Sequence, residues 1–272
     1  MTMVKMKQSN GRVIYEGPSQ LDGNPIVVIA IGFKTGSSNR KTGKMIQTYI
    51  MRADSLPTEA VQSGDDFSIC GNCIHRGKTV RSASGETRNV GRTCYVNLGQ
   101  GPLAVMRSYL LGKYPAWDGT GVNGQFVRIG TYGDPAAVPT YVWDELLRDA
   151  SGHTGYTHQW QDPRFASLRT FCMASVDSPE EAASAHAKGW RTFRVGMPNH
   201  APQTPKVEAL CPASAEAGRK LDCARCLACS GVSGSDGSHR RGSIYIPAHG
   251  GFAVMANINK RAALQVVTGG VR

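Results

Sequence analysis

At 272 residues, with ordinary apolar content and sparse charge, the chain can bury a sizeable core, which excludes disorder as its main state. No apolar run approaches the ~20 residues of a membrane span, and Lys5 and Lys7 precede no apolar core, so the sequence predicts a cytoplasmic protein with no membrane partner. A formal charge of +11 and a pI near 9.4 favour polyanionic partners, nucleic acid being the commonest, although an evenly basic solvated surface gives the same totals.

Much of the excess charge lies at the front, where residues 1–52 carry eight Lys or Arg against only Glu16 and Asp22. Pro25 to Phe33 reads as a buried strand and Met45 to Met51 as another. The Gly/Ser/Asn stretch between them, holding Lys34, Arg40, Lys41 and Lys44, predicts a β-hairpin with a basic tip that can meet a phosphate backbone. A helix follows over Pro102 to Leu111, with Pro in its first turn and Gly112 as its stop. Phe126 to Gly130 predicts a strand and Tyr141 to Ala150 an amphipathic helix. Gly155 to His158 and Arg169 to Ala174 are read as two more strands. Ser178-Pro-Glu-Glu181 has the form of a capping box, its helix ends at Gly189, and Trp190 to Val195 completes a β-α-β unit. A last strand is expected over Ser243 to Pro247. These repeats predict an α/β fold, a partial (β/α) barrel or mostly parallel sheet with Cys-rich metal-binding loops. Three regions are expected: a basic hairpin over 1–60, an α/β core over 61–205, and a Cys-rich region over 206–272 that closes the same domain.

Eight cysteines in a reducing compartment read as ligands rather than disulfides, and they fall into two groups. Cys223, Cys226 and Cys229 sit at three-residue steps, with Cys211-Pro212 supplying a remote fourth ligand. Zinc is compatible with four thiolates, but a C-x2-C-x2-C run with a Cys-Pro pair suits a 4Fe-4S cluster, which offers separate irons to closely spaced sulfurs. In the first group Cys70, Cys73 and Cys94 are spaced C-x2-C-x20-C. A fourth ligand there is Cys172 or His75, or is absent. A closed four-ligand site is usually structural, whereas an open position is where chemistry takes place.

Parallel α/β folds bind ligands at the carboxyl ends of their strands. Those ends carry Asp134, His158, Asp177 and His249, the residues expected to form a catalytic or substrate-binding rim. Asp134-Pro135 is also compatible with an ordinary turn, and Asp177 with a lead into the Ser178 helix.

The arrangement of Cys70-x2-Cys73 with Cys94-Tyr95, followed by β/α units and a Cys211-Pro212 plus Cys-rich tail, resembles uncharacterised Cys-rich proteins of bacteriophages and mobile elements. It is also similar to radical-SAM barrels, although the C-x3-C-x2-C loop of that family is missing. The resemblance implies that Cys70, Cys73 and Cys94 leave one iron open for S-adenosylmethionine, while the tail holds an auxiliary cluster. The functional expectation is an iron-sulfur protein acting on or with nucleic acid, in the manner of a radical-SAM-like modifying enzyme. On that reading Lys34, Arg40, Lys41, Lys44, Arg240 and Arg241 face the polyanion, in salt-sensitive binding. The competing expectation is a non-enzymatic module in which zinc staples hold loops that grip nucleic acid or protein. A basic accessory protein with no nucleic-acid role is the third.

Overall fold

The computed structural model describes residues 9–196, 208–232, 242–248 and 257–258. The front of the chain forms β1 (Gly11–Pro18), β2 (Pro25–Ile31) and β3 (Met45–Arg52). Two short helices follow, α1 (Pro57–Ser63) and α2 (Phe67–Cys70), then the exposed ribbon of β4 (Lys78–Arg81) and β5 (Thr87–Val90), and α3 (Gly101–Leu110). The middle of the chain runs β6 (Phe126–Tyr132), α4 (Thr140–Leu147), β7 (Gly152–Thr154), β8 (Tyr156–Thr157), β9 (Met173–Val176), α5 (Pro179–Ala187) and β10 (Thr192–Gly196). After it come β11 (Glu208–Leu210), α6 (Cys223–Cys226) and β12 (Ser243–Pro247).

The strands form a mixed α/β architecture. One sheet has the order β1-β2-β3-β6-β7, antiparallel across β1, β2 and β3 and parallel from β3 onward. The other, ordered β11-β12-β10-β9-β8, is parallel throughout. The sheets meet where β7 runs into β8 through Gly155, which donates to the Cys229 carbonyl and accepts from Met173, both at 3.0 Å. A Cβ on Gly155 would lie 2.5 Å from Ile129 and 3.0 Å from Cys172 Sγ, so only glycine lets the backbones come this close. Among the described residues no barrel closes, and β1 and β11 are the outer strands.

β2 and β3 are buried along nearly their whole length, as the continuous apolar run of β2 predicts for a strand covered on both faces, while β3 also buries the polar Gln47 and Thr48. The main core joins them to Val127 and Ile129 of β6, Trp143 and Leu146 of α4, and Val176 of β9. The predicted hairpin is present, and the helices expected near 102–111 and 141–150 form within a residue or a few of those bounds. Ser178 caps α5 as its sequence requires: its Oγ accepts the Glu181 N–H at 3.1 Å, and Glu181 reaches back to the Asp177 N–H at 2.7 Å. The strand expected over 169–174 is different. Asp162 caps a 3-10 helix over Pro163–Thr170, and the strand begins only at Met173, because Asp162-Pro163 starts a helical run whose Leu168 carbonyl takes the N–H groups of both Phe171 and Cys172. No helix among the described residues is long and apolar enough to cross a membrane.

β10 and β11 carry a charge pair inside the fold. Arg194 donates to both Glu208 oxygens at 2.9 and 2.7 Å, and both side chains are fully buried.

Candidate metal centres

The first cysteine group lies in the chain that leaves the carboxyl end of β3. Arg76 folds back over it, pairing with the buried Asp66 and donating to the carbonyls of Gly64 (2.9 Å) and Gly71 (3.1 Å). Gly71 turns the chain between Cys70 and Cys73 at φ 53° and ψ −133°, and a Cβ there would lie 2.6 Å from the Gln159 amide. That amide clamps the turn, donating to the Cys70 carbonyl at 3.1 Å and accepting from Asn72 N–H at 3.3 Å. The His75 carbonyl accepts the N–H groups of Thr93 and Cys94 at 3.1 and 3.0 Å, which brings the third cysteine to the first two.

Burial pushes the Cys70 thiol well up and the Cys94 thiol up, and Cys73 up to about 12. Backbone N–H groups oppose this by pointing at sulfur, His75 at Cys73 and Val96 at Cys94. Without a cation these are neutral thiols; thiolates here need a positive partner, and the N–H donors are already aimed to stabilise them.

The polar rim stands at the same end. Asp134 follows β6, His158 follows β8 and Asp177 follows β9. Asp134 is not free to act on a substrate: Oδ1 accepts from Ala136 N–H (2.9 Å) and Thr157 Oγ1 (2.7 Å), and Oδ2 from His158 N–H (2.7 Å). Burial raises its pKa, while His158 and these donors oppose the rise. Its role is to fix the His158 backbone. The rings of His158 and His75 meet edge to face, 5.5 Å between centroids, and His75 Nε2 lies 2.9 Å from Asp177 Oδ1. His75 Nδ1 is 2.7 Å from Thr93 Oγ1. The side-chain nitrogen His158 Nε2 and the hydroxyl of Tyr132 are buried without a hydrogen-bond partner. Burial raises the Tyr132 pKa, and Cys70, Asp66 and Cys94 raise it further. His249 lies outside the described residues, as do Arg240 and Arg241.

In the second group Cys229 lies at the amino end of β8, where its carbonyl accepts the Gly155 N–H, whereas Cys211 directly follows the last residue of β11. Asp222 caps α6 by accepting from Arg225 N–H at 3.0 Å, and Leu227 ends it in the left-handed region at φ 50°. Cys211, Cys223, Cys226 and Cys229 all line one recess, walled by Tyr156, Leu227 and Ile244. The Cys211 sulfur receives N–H groups from Ala213 and Ser214, and Cys229 receives the Tyr156 hydroxyl. Burial nevertheless raises Cys211 and Cys223, and lifts Cys229 to about 12. Arg128 lies beside them, over the Tyr156 ring at 5.3 Å. Burial works against its charge, but Tyr95, Tyr156, Cys223 and Cys229 outweigh burial and raise its pKa. It is the built-in countercharge for this group.

The hairpin tip packs on this group, with Cys223 N–H on the Lys41 carbonyl and Ala224 N–H on Thr42, both at 3.0 Å. The side chains of Lys34, Arg40, Lys41 and Lys44 are exposed. Cys172 is fully buried in the main core, where Asp134 is the charge that acts on it, so it joins neither sulfur group.

Among the described residues, three metal-ligating atoms come within 4.8 Å of one another at His75, His158 and Asp177, and not at either cysteine group. A tetrahedral zinc at 2.3 Å from each sulfur needs the sulfurs about 3.8 Å apart. A cubane, which gives each thiolate its own iron, holds them more widely. The sequence pointed to every cysteine but not to the groups that serve them: Gln159, Arg128, Tyr156 and Thr93 carry no motif, and only the step from Cys73 to His75 hinted at the histidine. Compared with protein-family models, with curated proteins and with solved structures, the chain matches none.

Proposed function

We propose that the chain is a two-centre iron-sulfur protein that performs redox chemistry on, or in association with, nucleic acid, in the manner of a radical-SAM-like modifying enzyme. The observation that carries this reading is that the cysteines gather into two separate sets, four lining one recess and three beside the polar rim at the carboxyl ends of β6, β8 and β9. The four-cysteine set, gathered in one recess and backed by Arg128, suits a closed cluster that stabilises the fold or stores an electron. The three-cysteine set stands at the carboxyl ends, where such folds bind substrates, and its donor count leaves one iron open to an external ligand, with S-adenosylmethionine as the candidate. Such a cluster supplies one-electron reduction at that iron. The protein's own part is to hold the sulfurs with Gly71, Gln159 and the His75 carbonyl, and to present His158 and Asp177 beside them. The exposed cations of the hairpin tip supply a phosphate-binding edge.

Anaerobic purification followed by absorption spectroscopy and metal and sulfide analysis tests this directly. Broad absorption near ~400 nm, with iron and sulfide for two cubanes, is the expected result. The Cys70→Ser variant then loses one cluster and the spectral response to S-adenosylmethionine, and retains the other. Colourless protein carrying two zinc ions replaces this reading with a zinc-stapled binding module.

A further inference from the structure

We propose that His75, His158 and Asp177 form a third metal site, for a single divalent first-row transition ion, separate from both cysteine groups. Their ligand atoms lie within 4.8 Å of one another. Two imidazoles and one carboxylate, leaving other positions open, are the donor set of non-haem Fe(II) sites and of catalytic zinc.

Three further observations point to an ion. The first is spacing: two ligands held about 2.1 Å from one ion at right angles are about 3 Å apart, and His75 Nε2 to Asp177 Oδ1 is 2.9 Å. The second is the orphan, since His158 Nε2 is buried with no partner, a costly state that a coordinate bond removes. It has no hydrogen bond to give up on taking an ion. The third is orientation: His75 Nδ1 lies 2.7 Å from Thr93 Oγ1, which fixes the ring so that Nε2 is the nitrogen turned to the Asp177 carboxylate. Thr93 is itself buried. Asp134 holds the His158 backbone from behind, as an outer-shell residue does for a ligand. The site stands on these contacts whether or not the cysteines hold iron.

Cobalt(II) added to the anaerobically purified full chain is the probe, with absorption spectra and calorimetry as readouts and iron and sulfide assayed in parallel. Wild type is expected to take one equivalent of cobalt with ligand-field bands and no thiolate-to-cobalt charge transfer, displaced by zinc. Removing an outer-shell partner typically weakens metal binding 10–100-fold, so His158→Ala and, independently, His75→Gln should each weaken it by at least about 100-fold. Iron and sulfide contents should not change, which separates failure here from failure of the cluster reading. Two results overturn the proposal: either variant, folded by circular dichroism, binds cobalt as wild type does, or the added equivalent shows thiolate charge transfer and vanishes in a cysteine variant instead.

Discussion

Replacing Asp134 by Ala tests the idea that this buried carboxylate is a fastener and not a catalytic group. The substitution strips the acceptor from the Ala136 and His158 N–H groups and from the Thr157 hydroxyl, three contacts of 2.7–2.9 Å in a place closed to solvent. Each buried donor left unpaired costs about 1–3 kcal/mol, so the loss is ~3 kcal/mol if each falls at the low end. That is a large share of the 5–15 kcal/mol typical of a folded domain, and it lowers the Tm by roughly 6–12 °C at this size. Asp134→Asn keeps the shape and one acceptor oxygen but turns an NH2 toward one of the donors, so it should fall between Ala and wild type. Thermal unfolding of the three proteins at one fixed metal content gives the comparison, since any bound ion shifts the midpoint by mass action. A shift under about 2 °C for the Ala variant refutes the assignment.

Arg194→Met leaves Glu208 buried and without its bidentate partner, so stability should fall by about 3–5 kcal/mol in denaturant titration, with much of it restored by adding Glu208→Leu. Arg128→Met removes the cation beside Cys223 and Cys229; metal at the second group should then yield to a chelator at 10–100-fold lower concentration, while the first group keeps its metal. Gly71→Ala forces a side chain into a backbone conformation costing about 1–3 kcal/mol and displaces Gln159, so metal analysis should find the first group depleted and the second intact. Reversing Lys34, Arg40, Lys41 and Lys44 to Glu should flatten the salt dependence of nucleic-acid retention by about 0.9 in slope for each phosphate contact removed; an unchanged slope removes the hairpin tip from the interface.

The strands were legible where burial on both faces leaves an apolar run, uninterrupted in Pro25–Ile31 and broken only by Gln47 and Thr48 before Arg52 in Met45–Arg52, and α5 where a cap writes its start into four residues. The 3-10 helix over Pro163–Thr170 was not, because Arg, Ser and Thr alternate there with apolar residues much as they do in a half-buried strand, and the deciding Asp162 cap precedes that pattern. Both cysteine groups were legible as spacing, and the carboxyl-end rule placed Asp134, His158 and Asp177 on one rim. What local sequence could not express is who faces whom: His75 and Asp177 are 102 positions apart, and Gln159 reaches the Cys70 carbonyl across 89. The same rule overstated Asp134, since position at a strand end does not tell whether a carboxylate's oxygens are already spoken for.

The docking of the hairpin tip on Cys223 and Ala224 has a bearing on how the chain is assembled during synthesis. Lys41 and Thr42 emerge from the ribosome about 180 residues before their partners, a wait of roughly 9–36 s at ordinary elongation rates. Closing a loop of that length costs roughly 4–5 kcal/mol of chain entropy. The two backbone hydrogen bonds at the junction offset only part of this, and on the proposed reading a metal held by the four neighbouring cysteines supplies the rest. Metal supply would thus set when the first-made strands of the nascent chain are locked to the last.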